Sequence, residues 1–185
     1  MTEQERNELM QIVRELSYEE REVTLASGRK SNFYFDGKQT TLHAKGGLLT
    51  GKAFWEIVKT FAGPIHGVGG LTMGADPIAT ATSIAANLDG QPVHAFIIRK
   101  EPKGHGTGQW LEGRKNLLPG SRVVIVEDVT TTGDSSLKAV ERAQQEGLEV
   151  LGIITLVDRE EGARENIEAQ GQVLKAVFTR TEVVG

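Results

Sequence analysis

Apolar positions along this chain switch repeatedly between helical and strand periods. Leu9, Ile12, Val13 and Leu16 recur at helical spacing behind Thr2 and Glu5, a capping-box pair, which predicts an amphipathic helix over residues 3 to 16. "EVTLASGRKSNFYFDGK" reads as two short strands around a Ser-Gly turn. Leu48, Leu49, Trp55, Ile57, Val58 and Phe61 predict a helix that stops at "AGP". "IHGVGG" follows as a strand, "DPIATATSIAANL" as a helix with Pro77 in its first turn, and "PVHAFIIRK" as a strand. Val123 to Val126 form the next strand, Ser135 to Glu146 a helix, "VLGIITLVD" a strand, "REEGARENIEAQG" a helix and "QVLKAVFT" the last strand. The tail "TRTEVVG" is expected to fray. Apolar strands separated by helices imply an α/β fold, an open and mainly parallel sheet flanked by helices.

Composition narrows this picture. At 185 residues the chain is long enough for one domain with its own core. Its 38% hydrophobic and 25% charged residues are those of an ordinary globular protein. The absence of cysteine excludes disulfides and thiolate metal sites. A formal charge of −4 argues against a protein that coats nucleic acid. The start "MTEQERNELM" lacks the basic and then apolar run of a signal peptide, and no apolar stretch approaches the roughly 18 residues of a membrane span. A cytoplasmic protein is therefore expected, with no nucleic acid and no membrane among its partners.

The segment "VVIVEDVTTTGDSS", residues 123 to 136, carries the chemistry. In open α/β sheets ligands bind beyond the carboxyl ends of the strands, where Glu127 and Asp128 are expected. The loop after them supplies hydroxyls and backbone N–H groups at the start of a helix, and such a start attracts phosphate through its unpaired donors and its dipole. Paired acids for sugar hydroxyls beside a phosphate loop describe a sugar phosphate. The same pattern also describes a buried strand followed by a helix cap.

This segment resembles the phosphoribosyl-pyrophosphate signature of the type I phosphoribosyltransferases. The resemblance implies that Thr130, Thr131, Thr132, Gly133, Asp134 and Ser135 hold the ribose 5-phosphate, with Val129 also among the residues that bind phosphoribosyl pyrophosphate. It also implies that Glu127 and Asp128 contact the ribose hydroxyls, with Asp128 among the catalytic residues. A second stretch, "IIRKEPKGHGTGQWLEG", residues 97 to 113, crowds Arg99, Lys100, Lys103 and His105 together among glycines. By itself it reads as a mobile basic loop, and most charge runs are solvated surface. Its spacing is similar to the catalytic loop of the orotate phosphoribosyltransferase family. That likeness implies four cations on the leaving pyrophosphate, with Lys103 the principal one and His105 beside it.

Two further stretches agree. "LASGRKSNFYFDGK", residues 25 to 38, is similar to the family's N-terminal hood, where Tyr34 and Phe35 would border the pyrimidine. "LVDREEG", residues 156 to 162, matches an element whose arginine, here Arg159, would pair with the orotate carboxylate. A planar guanidinium meets a carboxylate with two parallel bonds; paired with Glu160 or Glu161, the same arginine would be an ordinary helix-start residue. Thr131 would also touch orotate. By this likeness residues 1 to 185 form one phosphoribosyltransferase domain, with about 1–40 and 155–185 contributing to the hood. The chain departs from some members at Ala26 and in "TMGADP", where they carry lysines. The basic loop then bears a larger share of the pyrophosphate charge, and the roles of Lys30 and Lys38 stay open.

The reaction implied is transfer of ribose 5-phosphate from phosphoribosyl pyrophosphate to N1 of orotate, in the synthesis of pyrimidine nucleotides. Magnesium would be held mainly by substrate and water, with no direct protein ligand. The likeness also implies a homodimer whose catalytic loop reaches the neighbouring subunit. A purine phosphoribosyltransferase and a regulator that senses phosphoribosyl pyrophosphate are the alternatives. Three other features carry less. "GGLLTGKA" has P-loop spacing, but Ala53 stands where a hydroxyl should bind magnesium, and a helix is expected there. "GVGG" reads as a tight turn near the ligand, and His43, His66 and His94 lack metal-ligand spacing.

Overall fold

The computed structural model describes residues 1–24, 30–102 and 109–185. The N-terminal helix α1 (Glu3–Ile12) starts on the expected capping box, Thr2 with Glu5, and passes into one π-helical turn at Val13–Ser17. The helical period thus persists to Ser17, but the α-helix itself is shorter than expected. Strands β1 (Tyr18–Thr24) and β2 (Lys30–Phe35) pair antiparallel as expected, and the Ser-Gly turn expected between them lies outside the described residues. A short helix α2 (Gly37–Thr41), unforeseen in the sequence, begins at Asp36, whose carboxylate accepts the Lys38 amide. Helix α3 (Ala44–Val58) includes "GGLLTGKA", so those glycines form no phosphate loop.

The remaining strands build one sheet: β3 (Gly67–Leu71), β4 (His94–Ile98), β5 (Leu111–Glu112), β6 (Arg122–Thr130), β7 (Glu149–Asp158) and β8 (Leu174–Thr179). Their order is β5-β4-β3-β6-β7-β8, and every pairing is parallel except β4 with β5. Helix α4 (Ala75–Leu88) joins β3 to β4, α5 (Asp134–Gln145) joins β6 to β7, and α6 (Ala163–Ala169) joins β7 to β8. From β3 the chain first moves out to β4 and then returns to place β6 on the other side of β3. The strand order reverses there, opening a crevice beyond the carboxyl ends of β3 and β6 where such folds bind ligands.

Strand β6 is apolar on both faces because both are covered. Val124 and Val126 pack with Leu49, Phe54 and Ile78 of α3 and α4, while Val123 and Ile125 pack with Ala139, Val140 and Ala143 of α5. "GVGG" is the fully buried strand β3 rather than a turn. A Cβ on Gly69 would run into the Phe96 carbonyl oxygen of β4, so close strand packing is what requires glycine there.

The tail does not fray. It forms helix α7 (Arg180–Val184) on a second capping box, Thr179 with Glu182, and Val183 is buried. Arg6 and Arg14, on the first helical stretch, bind Glu182 and the Val183 carbonyl. His43 caps α3 and His66 accepts the Arg122 amide, so both have structural partners. Among the described residues no helix is long and apolar enough to cross a membrane.

Candidate active site

Glu127 and Asp128 were expected at the end of a strand, but they lie within it. β6 stays paired through Val129↔Val157 to Thr130↔Asp158, and β7 pairs in turn at Asp158↔Thr179. Three strands therefore finish level, and the acids are lowered into the crevice with only 7% and 6% of their surfaces exposed. Two glycines from other elements make room for them. A Cβ at Gly74, before α4, would sit 2.6 Å from Asp128 Oδ1 and 2.7 Å from Glu127 Oε1. One at Gly37 would sit 2.7 Å from Asp128 Cβ. Neither glycine carried a signal in the sequence, because what crowds it comes from a distant strand.

Burial pushes the Glu127 carboxyl well above the usual carboxylate range, to about 8, and the neighbouring Asp128 charge adds to the effect. Among the described residues Lys38 is the nearest counter-charge. Its Nζ lies 2.7 Å from Asp36 Oδ1 and 3.8 Å from Asp128 Oδ2, and the bond to Asp36 holds its pKa above the ordinary value. The unfolded chain loses the Glu127 proton near pH 4.5 and the folded chain near 8. Above 4.5 the folded state binds more protons than the unfolded state, so this group lowers stability progressively up to pH 8 and fully beyond it. Glu127→Gln should melt with the parent at about pH 5 and exceed it at about pH 9, by on the order of 2 kcal/mol after allowance for coupling to Asp128. Thermal melting across that range checks it; a constant difference would remove the buried-acid account.

After Thr130 the chain turns through Gly133 in the left-handed region (φ 85°) into α5, and no side chain caps this helix. Its first amides thus lack intrahelical acceptors and remain available to an anion. Thr130 Oγ1 and Ser136 Oγ are buried there with no hydrogen-bond partner. Thr131 is half-buried, and Thr132, Asp134 and Ser135 are exposed. The Thr132 hydroxyl donates to Asp134 Oδ2, while its carbonyl accepts from Asn166 Nδ2 at 2.9 Å. The Val129 side chain is half-buried, and its amide donates to Asp128 Oδ1 at 3.0 Å. On the neighbouring strand's loop, the hydroxyl of Thr72 donates to Asp76 Oδ2, leaving Asp76 Oδ1 buried without a partner.

The basic segment springs from the antiparallel β4–β5 pair, with the Arg99 amide bonded to the Trp110 carbonyl. Arg99 reaches Glu112 at 3.2 Å, Lys100 is exposed, and the Trp110 ring lies 3.9 Å from the Arg142 guanidinium carbon of α5. Lys103 and His105 lie outside the described residues.

In the β1–β2 pair, β2 alternates, with Phe33 and Phe35 buried and Tyr34 half-exposed against the Arg21 guanidinium. Tyr34 and Phe35 therefore lie on opposite faces of the strand. Arg159 follows β7 and is 8% exposed. Its guanidinium bonds Glu161 Oε1 through Nη2 at 2.9 Å and Nε at 3.1 Å, and the Phe33 carbonyl at 3.2 Å. Phe33, whose ring lies 5.2 Å from the Arg159 guanidinium carbon, was missed because aromatic neighbours in a strand do not reveal which face meets the arginine.

The phosphoribosyl transferase domain model matches residues 38–180, a range that holds the buried acid pair and the uncapped helix start at the switch point of the parallel sheet. The orotate phosphoribosyltransferase of Aquifex aeolicus is 46% identical over 97% of this chain and 98% of its own. A crystal structure of Mycobacterium tuberculosis H37Rv orotate phosphoribosyltransferase with Fe(III) dicitrate superposes with TM-score 0.84 at 42% identity, covering 97% of this chain and 98% of that one. One of the same protein in complex with phosphoribosyl pyrophosphate gives 0.80 at 39%, covering 98% and 99%. The chain belongs to the orotate phosphoribosyltransferase family.

Proposed function

We infer that this chain transfers ribose 5-phosphate from phosphoribosyl pyrophosphate to N1 of orotate, releasing pyrophosphate, in pyrimidine nucleotide synthesis. One observation carries the reading: the buried acid pair, the uncapped start of α5 and Arg159 share a single sheet edge, spaced by the level ends of β6 and β7. The ribose phosphate fits the loop of residues 130–135, and the ribose hydroxyls fit Glu127 and Asp128. The pyrimidine fits beneath the hood, with Arg159 on its carboxylate and Phe35 and Thr131 around it, while Tyr34 lies on the opposite face of β2.

The C1–oxygen bond to pyrophosphate breaks as the N1–C1 bond forms, and the N1 proton of orotate passes to water. Positive charge grows on the ribose ring, where the Asp128 charge opposes it, and negative charge grows on the leaving group. Arg99, Lys100, Lys103 and His105 serve that leaving group, and the loop that carries them excludes water from the cationic ring. Among the described residues no group of three acids or histidines could hold a metal ion, so magnesium would be held mainly by phosphoribosyl pyrophosphate and water and would offset charge on the pyrophosphate.

A homodimer that shares the loop accompanies this reading. Leu48, Ile84 and Leu88 are exposed on α3 and α4 and line a groove of about 430 Å³, an apolar face suited to a second copy. Charged, soluble substrates suit a cytoplasmic enzyme.

An absorbance assay with magnesium and phosphoribosyl pyrophosphate tests the base: orotate is consumed, while adenine, hypoxanthine and uracil are spared. Consumption of a purine with orotate untouched would replace this reading by the purine one. Binding of phosphoribosyl pyrophosphate with no base consumed would favour the regulator.

A further inference from the structure

The turn that carries Arg159 is tied to the C-terminal helix by contacts beyond the register. Asp158 pairs with Thr179, so the next residues of the two strands, Arg159 and Arg180, emerge side by side at the carboxyl edge of the sheet. Glu160, in the left-handed region at φ 56°, accepts both the amide and the hydroxyl of Thr181 on one carboxylate oxygen, at 2.9 and 2.6 Å. The capping box fixes the backbone of Arg180.

Between the two arginines lies Glu161. Its Oε1 receives Arg159 at 2.9 Å and Arg180 at 3.7 Å, while Oε2 is buried with no hydrogen-bond partner. Both guanidinium carbons are 5.2 Å from the centroid of the same Phe33 ring. Both arginines thus meet on one carboxylate oxygen beside one aromatic ring. Among the described residues, Glu160 is engaged by Thr181, Asp158 by Arg164 at 3.7 Å, and Glu182 by Arg6. Two guanidinium groups side by side against an aromatic ring suit a carboxylate carried on a flat ring. Glu161 also keeps Arg159 extended before substrate arrives, so little side-chain entropy is lost on binding.

We propose that Arg180 is a specificity-determining residue, a second cation of the subsite for the base's carboxylate, with Glu161 as the positioning residue that holds Arg159 and Arg180 beside Phe33. The proposal rests on the reading of Arg159 as the carboxylate partner. An arginine beyond the domain's last strand, in a segment with no apolar period, thereby belongs to base selection.

Steady-state kinetics on the full chain test it. Arg180→Gln should raise KM for orotate about tenfold, the effect of one charge-assisted hydrogen bond. It should leave KM for phosphoribosyl pyrophosphate and the inhibition constant of uracil, which lacks the carboxylate, within about twofold. Arg180→Lys, which keeps the charge, should recover most of the loss. Arg159→Gln is run beside them. If Arg180→Gln leaves orotate unaffected while Arg159→Gln weakens it, the role of Arg180 is overturned and that of Arg159 stands. If neither variant weakens orotate, the carboxylate reading of Arg159 fails as well. Equal losses for orotate, uracil and phosphoribosyl pyrophosphate with a lowered melting temperature would mark Arg180 as structural and overturn the proposal.

Discussion

Asp128→Asn should lower kcat/KM for phosphoribosyl pyrophosphate by about 100- to 1,000-fold, the usual cost of deleting one group aimed at charge developing in a transition state. The amide keeps the size and one acceptor oxygen of the acid but removes its charge opposite the ribose ring. The fold should not suffer. Asp128 is 6% exposed beside Glu127, and its charge helps to push Glu127 upward, so its loss relieves a repulsion between buried neighbours. Lys38 retains Asp36 at 2.7 Å. A melting temperature at pH 8 equal to or above that of the parent, together with the kinetic loss, would assign the effect to chemistry. Activity within tenfold of the parent would take Asp128 out of the ribose site.

Much of this arrangement is written locally in the chain, and the parts that are not share a physical reason. The run Val123–Val126 and the hydroxyl-rich turn after it announce a buried strand and an anion-binding helix start, because each depends on adjacent residues. How far the strand continues depends instead on β7, whose ladder through Val157 and Asp158 draws Glu127 and Asp128 inside the sheet. The two residues of β5 are too few for any period. Helix α7 carried a legible signal, the Thr179–Glu182 capping box, of the same kind that marks α1 at Thr2 and Glu5. With only Val183 buried it shows no apolar repeat, so its start could be read while its packing against Arg6 and Arg14 could not. Arg159 is visible as a motif, yet its setting between Phe33 and Glu161 comes from the hairpin and the turn together.

Gly74 and Gly69 should separate activity from stability in opposite senses. A methyl group at Gly74 meets the far ends of two side chains, Asp128 Oδ1 at 2.6 Å and Glu127 Oε1 at 2.7 Å. Rotation of those carboxylates relieves the clash at little cost to the fold, since Gly74 has an ordinary helical φ of −63°. The site itself cannot absorb the change, because a displacement of about 1 Å in a positioning group costs about 100-fold in rate. Gly74→Ala should therefore lose about 100-fold in kcat/KM while melting within about 2 °C of the parent. At Gly69 the obstacle is the Phe96 backbone carbonyl, with the Phe96 ring 2.6 Å away, and neither can move without parting β3 from β4. Gly69→Ala should cost on the order of 3–4 kcal/mol, or about 10 °C in melting temperature. Its folded fraction at low temperature should retain most of its turnover, since the strained atoms lie inside the sheet and away from the acids. Melting curves and kinetics on both variants decide the matter: a Gly74→Ala protein of normal activity would mean that the acids tolerate displacement, and the crevice would lose its claim to the ribose.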